Sequence, residues 1–197
     1  LASLNDICVV HDFAYGALGF DGDKPVSFLQ IDGAKEVGIE IYTLSKTYNM
    51  AGWRVGFAVG NSSVISAIEL IQDHLYCSIF GGIQEAATEA LTGPQDCVRD
   101  LNNLYERRRN VLIDGLRSLG WDVTAPKGSF FAWLKVPEGL TSSEFADILL
   151  EQAHIAVAPG IAFGELGEGY VRVGLLTSEE RLEEAVRRIS KLEIFKK

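Results

Sequence analysis

Two short runs constrain this chain more than anything else in it: DICVVHD at residues 6–12 and EIYTLSK at residues 40–46. Both are apolar and β-branched without a polar alternation, which suits strands covered on both faces, and such strands belong to parallel sheets flanked by helices. Each run also closes on a polar residue, Asp12 in the first and Lys46 in the second. A third run, WRVGFAVGN at 53–61, reads as another strand ended by Gly60 and Asn61. Residues 20–38, rich in Gly, Asp and Pro, read as a loop with one short covering segment. In open α/β sheets ligands sit beyond the carboxyl ends of the strands, so Asp12 and Lys46 are the first candidates for chemistry.

Helical grammar follows. Ser62 or Ser63 is suited to cap a helix running to about Tyr76, with Val64, Ile68, Ile71 and Leu75 on an inward stripe. GGIQEAATEALTG at 81–93 predicts a second helix. From 94 to 120 a long pattern carries Val98, Leu101, Tyr105, Leu112, Leu116 and Leu119 at helical spacing. A helix of ~25 residues spans nearly 40 Å, enough to link two domains. Arg107, Arg108 and Arg109 read as its solvated face. Beyond Gly120 the units shorten. WDVTAP, SFFAWLKV, IAVAPG and YVRVGLL read as strands, and TSSE at 141–144 and TSEE at 177–180 read as capping boxes. The first box opens a helix to about His154, and the second a terminal helix with Leu182, Ala185, Val186, Ile189 and Leu192 inward. Phe130, Phe131 and Trp133 are expected in the core, His11 and His154 as satisfied structural histidines, and His74 on a helix face. The pattern predicts a parallel-sheet domain at 1–95, a linking helix at 96–120 and a small α+β domain at 121–197.

Composition excludes several functions. An apolar content of 47% is ample for a buried core. With 18 Lys and Arg against 27 acids, the formal charge of −9 argues against a surface that tracks nucleic acid. Cys8, Cys77 and Cys97 are an odd, widely spaced set in apolar or helical surroundings, so reduced core thiols in a cytoplasmic protein are expected. No run reaches the ~18 apolar residues of a membrane span, no signal-peptide pattern opens the chain, and no metal-ligand spacing occurs. The opening LASLNDICVVHD reads as the tail of a helix, a turn and a buried strand, as though the chain began in mid-domain.

Tyr15 stands three residues past Asp12, and Arg54 eight past Lys46. An amine, a carboxylate, a phenol and a guanidinium at one crevice suit a cofactor that bears an aldehyde, a pyridine nitrogen, a ring oxygen and a phosphate. Pyridoxal 5'-phosphate has those four groups. Lys46 would condense with the aldehyde, its pKa lowered by burial beside cations. Asp12 would pair with the protonated ring nitrogen, and Tyr15 would hydrogen-bond the ring oxygen. Arg54, with the hydroxyls of Thr43 and Ser45, would hold the phosphate.

At these residues the chain resembles a known family. TLSKTYNMAGWRVG is similar to the S-x-S-K-x7-R-x-G signature of fold-type I, class I/II aminotransferases, and HDFAYG resembles their D-x-x-Y segment. Thr43 stands where the family more often has serine. YVRVGLL resembles the strand whose arginine, here Arg172, binds the substrate α-carboxylate. PKGSFFAWL resembles a small-domain strand and APGIAFG the loop lining the substrate entrance. The resemblance implies an α/β fold in which residues 1–95 form the C-terminal half of a large cofactor-binding domain with a mostly parallel sheet. A linking helix and a small α+β domain follow. It also implies transfer of an amino group between an L-amino acid and a 2-oxo acid, in a homodimer that shares its active sites. Family chains are about twice this length. Their glycine-containing phosphate loop, ring-stacking aromatic and N-P-x-G segment have no counterpart here, so a C-terminal portion with no useful turnover alone is expected. The pattern looks most like the bacterial branch of methionine-salvage, alanine, aspartate and LL-diaminopimelate aminotransferases. Two alternatives share the residues: a non-catalytic regulatory domain of the same fold, and a β-lyase or decarboxylating synthase.

Overall fold

The computed structural model describes residues 1–195. They divide into two compact units, Leu1–Gly19 with Asp23–Leu101, and Phe20–Gly22 with Asn102 onward.

In the first unit a single turn, α1 (Ala34–Val37), leads into β2 (Gly38–Thr43), which pairs in parallel with β1 (Val9–Asp12) and antiparallel with β3 (Gly56–Gly60). The strand order is β1-β2-β3. β2 ends at Thr43, three residues earlier than its apolar run suggests, because Thr43 caps the helical turn α2 (Leu44–Thr47) and accepts a hydrogen bond from Ser45 N–H. Lys46 therefore rides on α2 and does not end the strand. β1 is not covered on both faces: exposure alternates along it, and Val10 is 59% exposed.

The helix α3 (Ser62–Leu75) is capped by Asn61, whose side chain accepts from Val64 N–H at 3.1 Å. Its expected inward stripe lies open, with Ile71 53% and Leu75 72% exposed. Periodicity marks which face of a helix is apolar; it does not supply the surface that covers it. α4 (Gly81–Thr92) does pack, laying Ile83, Ala86, Ala87 and Ala90 against a core of Leu44, Met50 and Val55. The cysteines are corrected too. Cys8 before β1, Cys77 after α3 and Cys97 are all exposed, because their segments present them outward.

The helix α5 (Asp96–Ser118) starts in the first unit and runs through the second. There β4 (Phe131–Lys135), β5 (Ala158–Pro159) and β6 (Tyr170–Gly174) form an antiparallel sheet of order β4-β6-β5. Ala132, Leu134 and Val171 are buried, as are Leu112, Ile113 and Leu116 of α5, Phe145 and Leu149 of α6 (Ser142–Ala153), and Leu182 and Ile189 of α7 (Glu179–Ile189). The Thr141–Glu144 capping box forms as read. α7 is capped one residue later than expected, by Ser178, which accepts from Arg181 N–H. WDVTAP makes no strand; its Trp121 and Val123 are nonetheless buried, and Trp121 Nε1 donates to the Lys135 carbonyl at 2.8 Å.

Arg109 is 2% exposed and belongs to no solvated face. A buried guanidinium needs fixed acceptors. It donates to both oxygens of Asp21 at 2.6 and 2.8 Å and to the Pro126 carbonyl at 3.0 Å, and it lies over the Phe20 ring. These bonds account for the membership of Phe20–Gly22 in the second unit. His154 is also corrected: it is exposed and takes left-handed backbone at the end of α6 (φ 55°). His11 does have a partner, Glu40 Oε2, at 2.9 Å. Among the described residues no helix is long and apolar enough to cross a membrane.

Candidate active site

Parallel pairing brings the carboxyl ends of β1 and β2 to one edge of the sheet, with Asp12 opposite Ile41. The Asp12 carboxylate accepts from Ala14 N–H at 3.3 Å, which opens the turn that carries Tyr15. Three residues beyond the end of β2, Lys46 emerges half-buried from α2, its Nζ 5.9 Å from the centroid of the Tyr15 ring.

Thr43 Oγ1 donates to Ser45 Oγ at 2.9 Å and accepts from Ser45 N–H at 3.1 Å. Having accepted from Thr43, the Ser45 hydroxyl keeps its own proton for another acceptor. Arg54 lies in the left-handed region (φ 52°, ψ 48°), and its Nη1 donates to the Ala51 carbonyl at 3.0 Å. Thr43, Ser45 and Arg54 line one open depression of about 340 Å³, floored by Val55 and Gly56. Gly56 permits the close approach of β3 to β2: a Cβ there would stand 2.6 Å from the Tyr42 carbonyl.

Behind this edge Glu40 is buried on β2. Burial pushes its carboxyl up, but hydrogen bonds from Ser27, His11 and Phe28 N–H outweigh that and hold it below the usual range. The same bonds tie residues 27–28 onto the sheet.

Arg172 belongs to the second unit, at the middle of β6, opposite Trp133 of β4 and Ala158 of β5. Its guanidinium carbon lies 4.3 Å from the centroid of the Phe131 ring and 4.4 Å from that of Phe163. Among the described residues no carboxylate forms an ion pair with it.

The predicted residues thus fall into three groups: Lys46 with Tyr15 beside the end of β1 at Asp12, Thr43 and Ser45 with Arg54 around the depression, and Arg172 against the rings of Phe131 and Phe163. A family model, "Aminotransferase class I and II", matches residues 1–189. The chain belongs to this family.

It is 70% identical over 194 residues to the L-glutamine–4-(methylsulfanyl)-2-oxobutanoate aminotransferase of Bacillus subtilis, covering 98% of this chain and 49% of that one. It is 49% identical over 189 residues to the LL-diaminopimelate aminotransferase of Halothermothrix orenii, with 96% and 49% covered. Substrate-bound BacF from Bacillus subtilis superposes with a TM-score of 0.92 at 45% identity, covering 98% of this chain and 49% of that one. The chain spans about half the length of the relatives it matches.

Sequence reasoning about this chain missed the two rings against Arg172. Period-2 alternation in FAWLK puts Phe131 and Trp133 on one face, the face opposite Ala132 and Leu134, and that signal was available. Nothing in the sequence pairs Phe163 with Arg172, since their contact depends on how residues 160–169 fold back.

Proposed function

We propose that the intact protein is a pyridoxal-phosphate-dependent aminotransferase that moves an amino group between an L-amino acid and a 2-oxo acid. The observation that carries this reading is the stand of Lys46 over the Tyr15 ring, 5.9 Å away, at the edge where the parallel strands β1 and β2 end. The donor set fits the cofactor: a carboxylate for the ring nitrogen, a phenol for the ring oxygen, and two hydroxyls with a guanidinium around a depression wide enough for a phosphate.

When bound, pyridoxal phosphate supplies an aldehyde for covalent attachment and an electron-withdrawing ring that lowers the barrier to proton loss at the substrate α-carbon. Lys46 is the attachment point and, once released, the base that carries the proton away from that carbon and returns one. Asp12 would keep the ring nitrogen protonated by accepting a hydrogen bond from its N–H, and Tyr15 would donate to the ring oxygen. Ser45 and Arg54 hold the phosphate, with Thr43 orienting Ser45. Arg172 takes the substrate α-carboxylate by paired N–H donors. In this reading residues 1–95 belong to the cofactor domain, 96–120 to a linking helix and 121–197 to the small domain. The intact protein is a cytoplasmic homodimer. The 70% relative supports L-glutamine and 4-(methylsulfanyl)-2-oxobutanoate as the first pair to assay.

The test is borohydride reduction of the intact protein loaded with pyridoxal phosphate, followed by peptide mass analysis. The cofactor is expected on the peptide bearing Lys46. Tight cofactor binding with no label at Lys46 after reduction would discard the assignment.

A further inference from the structure

We infer that Glu168 and Phe163 are positioning residues for substrate-carboxylate recognition: Glu168 latches the segment 160–169 onto Ser142, and the latched segment holds Phe163 against the guanidinium of Arg172. The inference rests on the reading of Arg172 as the carboxylate-binding cation.

The segment leaves β5 at Pro159 and returns to β6 at Tyr170 through two short 3₁₀ turns, Gly160–Phe163 and Glu165–Gly167. Its ends meet where Gly160 and Gly167 pass with no room for a side chain: a Cβ on either would collide with the other's carbonyl. Ser142, the first residue of α6, is fully buried beside it. Ser142 N–H donates to Glu168 Oε1 at 2.6 Å, and its hydroxyl donates to Oε2 at 2.8 Å. The same hydroxyl accepts from Ile161 N–H at 3.3 Å, and Gly169 N–H donates to Glu168 Oε1 at 2.9 Å. One carboxylate therefore joins the start of α6 to the start of β6 and takes up an N–H that a helix terminus leaves without a helical partner.

What the latch holds in place is Phe163. Phe163 is only half-buried, and its ring lies 4.4 Å from the Arg172 guanidinium and edge-on to Trp133 at 5.5 Å. The Phe131 ring lies 4.3 Å from the same guanidinium carbon. A planar cation held against two rings keeps its N–H bonds for acceptors in its own plane. A carboxylate is then taken edge-on, the direction in which two parallel N–H···O bonds form. Phe163 thus sets the direction from which the substrate's carboxylate is taken, and Glu168 sets Phe163.

The test uses the intact protein loaded with pyridoxal phosphate, whose absorbance reports a folded cofactor site in every variant. KM and kcat are measured for the amino donor, together with the dissociation constant of 4-methylpentanoate, a carboxylate with no amino group to react. Phe163→Leu and Glu168→Ala are expected to raise KM and that dissociation constant about 5- to 10-fold with kcat within about twofold, the pattern of lost uniform binding. Phe163→Tyr restores the ring and near-normal values, and Glu168→Gln, which keeps one acceptor, falls between. In an Arg172→Ala background neither substitution is expected to add anything, since both act through Arg172. An undiminished effect in that background would make the latch merely structural and overturn the inference. Unchanged constants in Phe163→Leu and Glu168→Ala, with weakened binding in Arg172→Ala, would overturn it while sparing the carboxylate reading. Unchanged binding in Arg172→Ala would remove that reading, and the inference with it.

Discussion

Arg54 sits where its backbone is strained, in the left-handed region. Left-handed conformation costs an L-residue about 1 kcal/mol or more, and glycine adopts it freely at some cost in chain entropy. Arg54→Gly is therefore expected to leave the folding free energy within about 1 kcal/mol of the parent in urea titrations. If Arg54 holds the phosphate, the same variant of the intact protein loses a charge-assisted hydrogen bond of ~1.5–3 kcal/mol and binds pyridoxal phosphate about tenfold or more weakly. A fluorescence titration separates the two effects, and unchanged affinity would remove Arg54 from the site. Gly160 is the reverse case, needed for space. A methyl group there meets the Gly167 carbonyl, so Gly160→Ala is expected to destabilise by about 1–3 kcal/mol and to displace the segment that carries Phe163. Denaturant midpoints check the first consequence, and the affinity for 4-methylpentanoate the second.

At the scale of elements, caps and ion pairs set where helices start and how they answer pH. Thr141 closes the box that begins α6, and Thr141→Ala is expected to cost about 1 kcal/mol in chemical denaturation. α7 carries its own acid response. Hydrogen bonds from Arg188 and then Arg187 hold the Glu184 carboxyl down from its usual 4.5 to about 2. A carboxyl with a lowered folded pKa stabilises fully above the unfolded value and loses that contribution as pH falls through the folded one. The stabilisation from the pairs with Arg187 and Arg188 is thus full above about pH 5 and is lost progressively between about 4.5 and 2. Carbon-detected titration of the Glu184 carboxyl should show its midpoint near the lower figure, and a midpoint above 4 would mean that these pairs are not formed in solution. Glu168 is likewise held low, first by the backbone N–H and then by the hydroxyl of Ser142, so the latch on residues 160–169 also weakens in acid.

Across the molecule, burial is uneven. Among the described residues Leu18, Ala34, Ile39, Leu44, Met50 and Val55 are the buried apolar side chains of the first unit, and all the others lie in the second. Amides of β1, β2 and β3 are accordingly expected to exchange with solvent at least about tenfold faster than those of β4 and β6, by hydrogen exchange on this chain. Equal protection would show that the six-residue core is sufficient. The same unevenness explains what could be read in advance. The sequence alone determined the order and type of most elements, the Thr141 cap and the family, because periodicity, capping chemistry and short motifs are local properties of the chain. It could not tell that the stripe of α3 and the face of β1 stay exposed, since covering a surface takes a partner that periodicity does not specify. Nor could it separate Arg109, buried against Asp21 some 88 residues away, from its solvated neighbour Arg107. Only the tertiary structure decided that Lys46 rides on a helical turn over Tyr15 and that Phe131 and Phe163 close on Arg172. Those contacts join residues distant in sequence, and their energies exist only once the chain has folded back to bring them together.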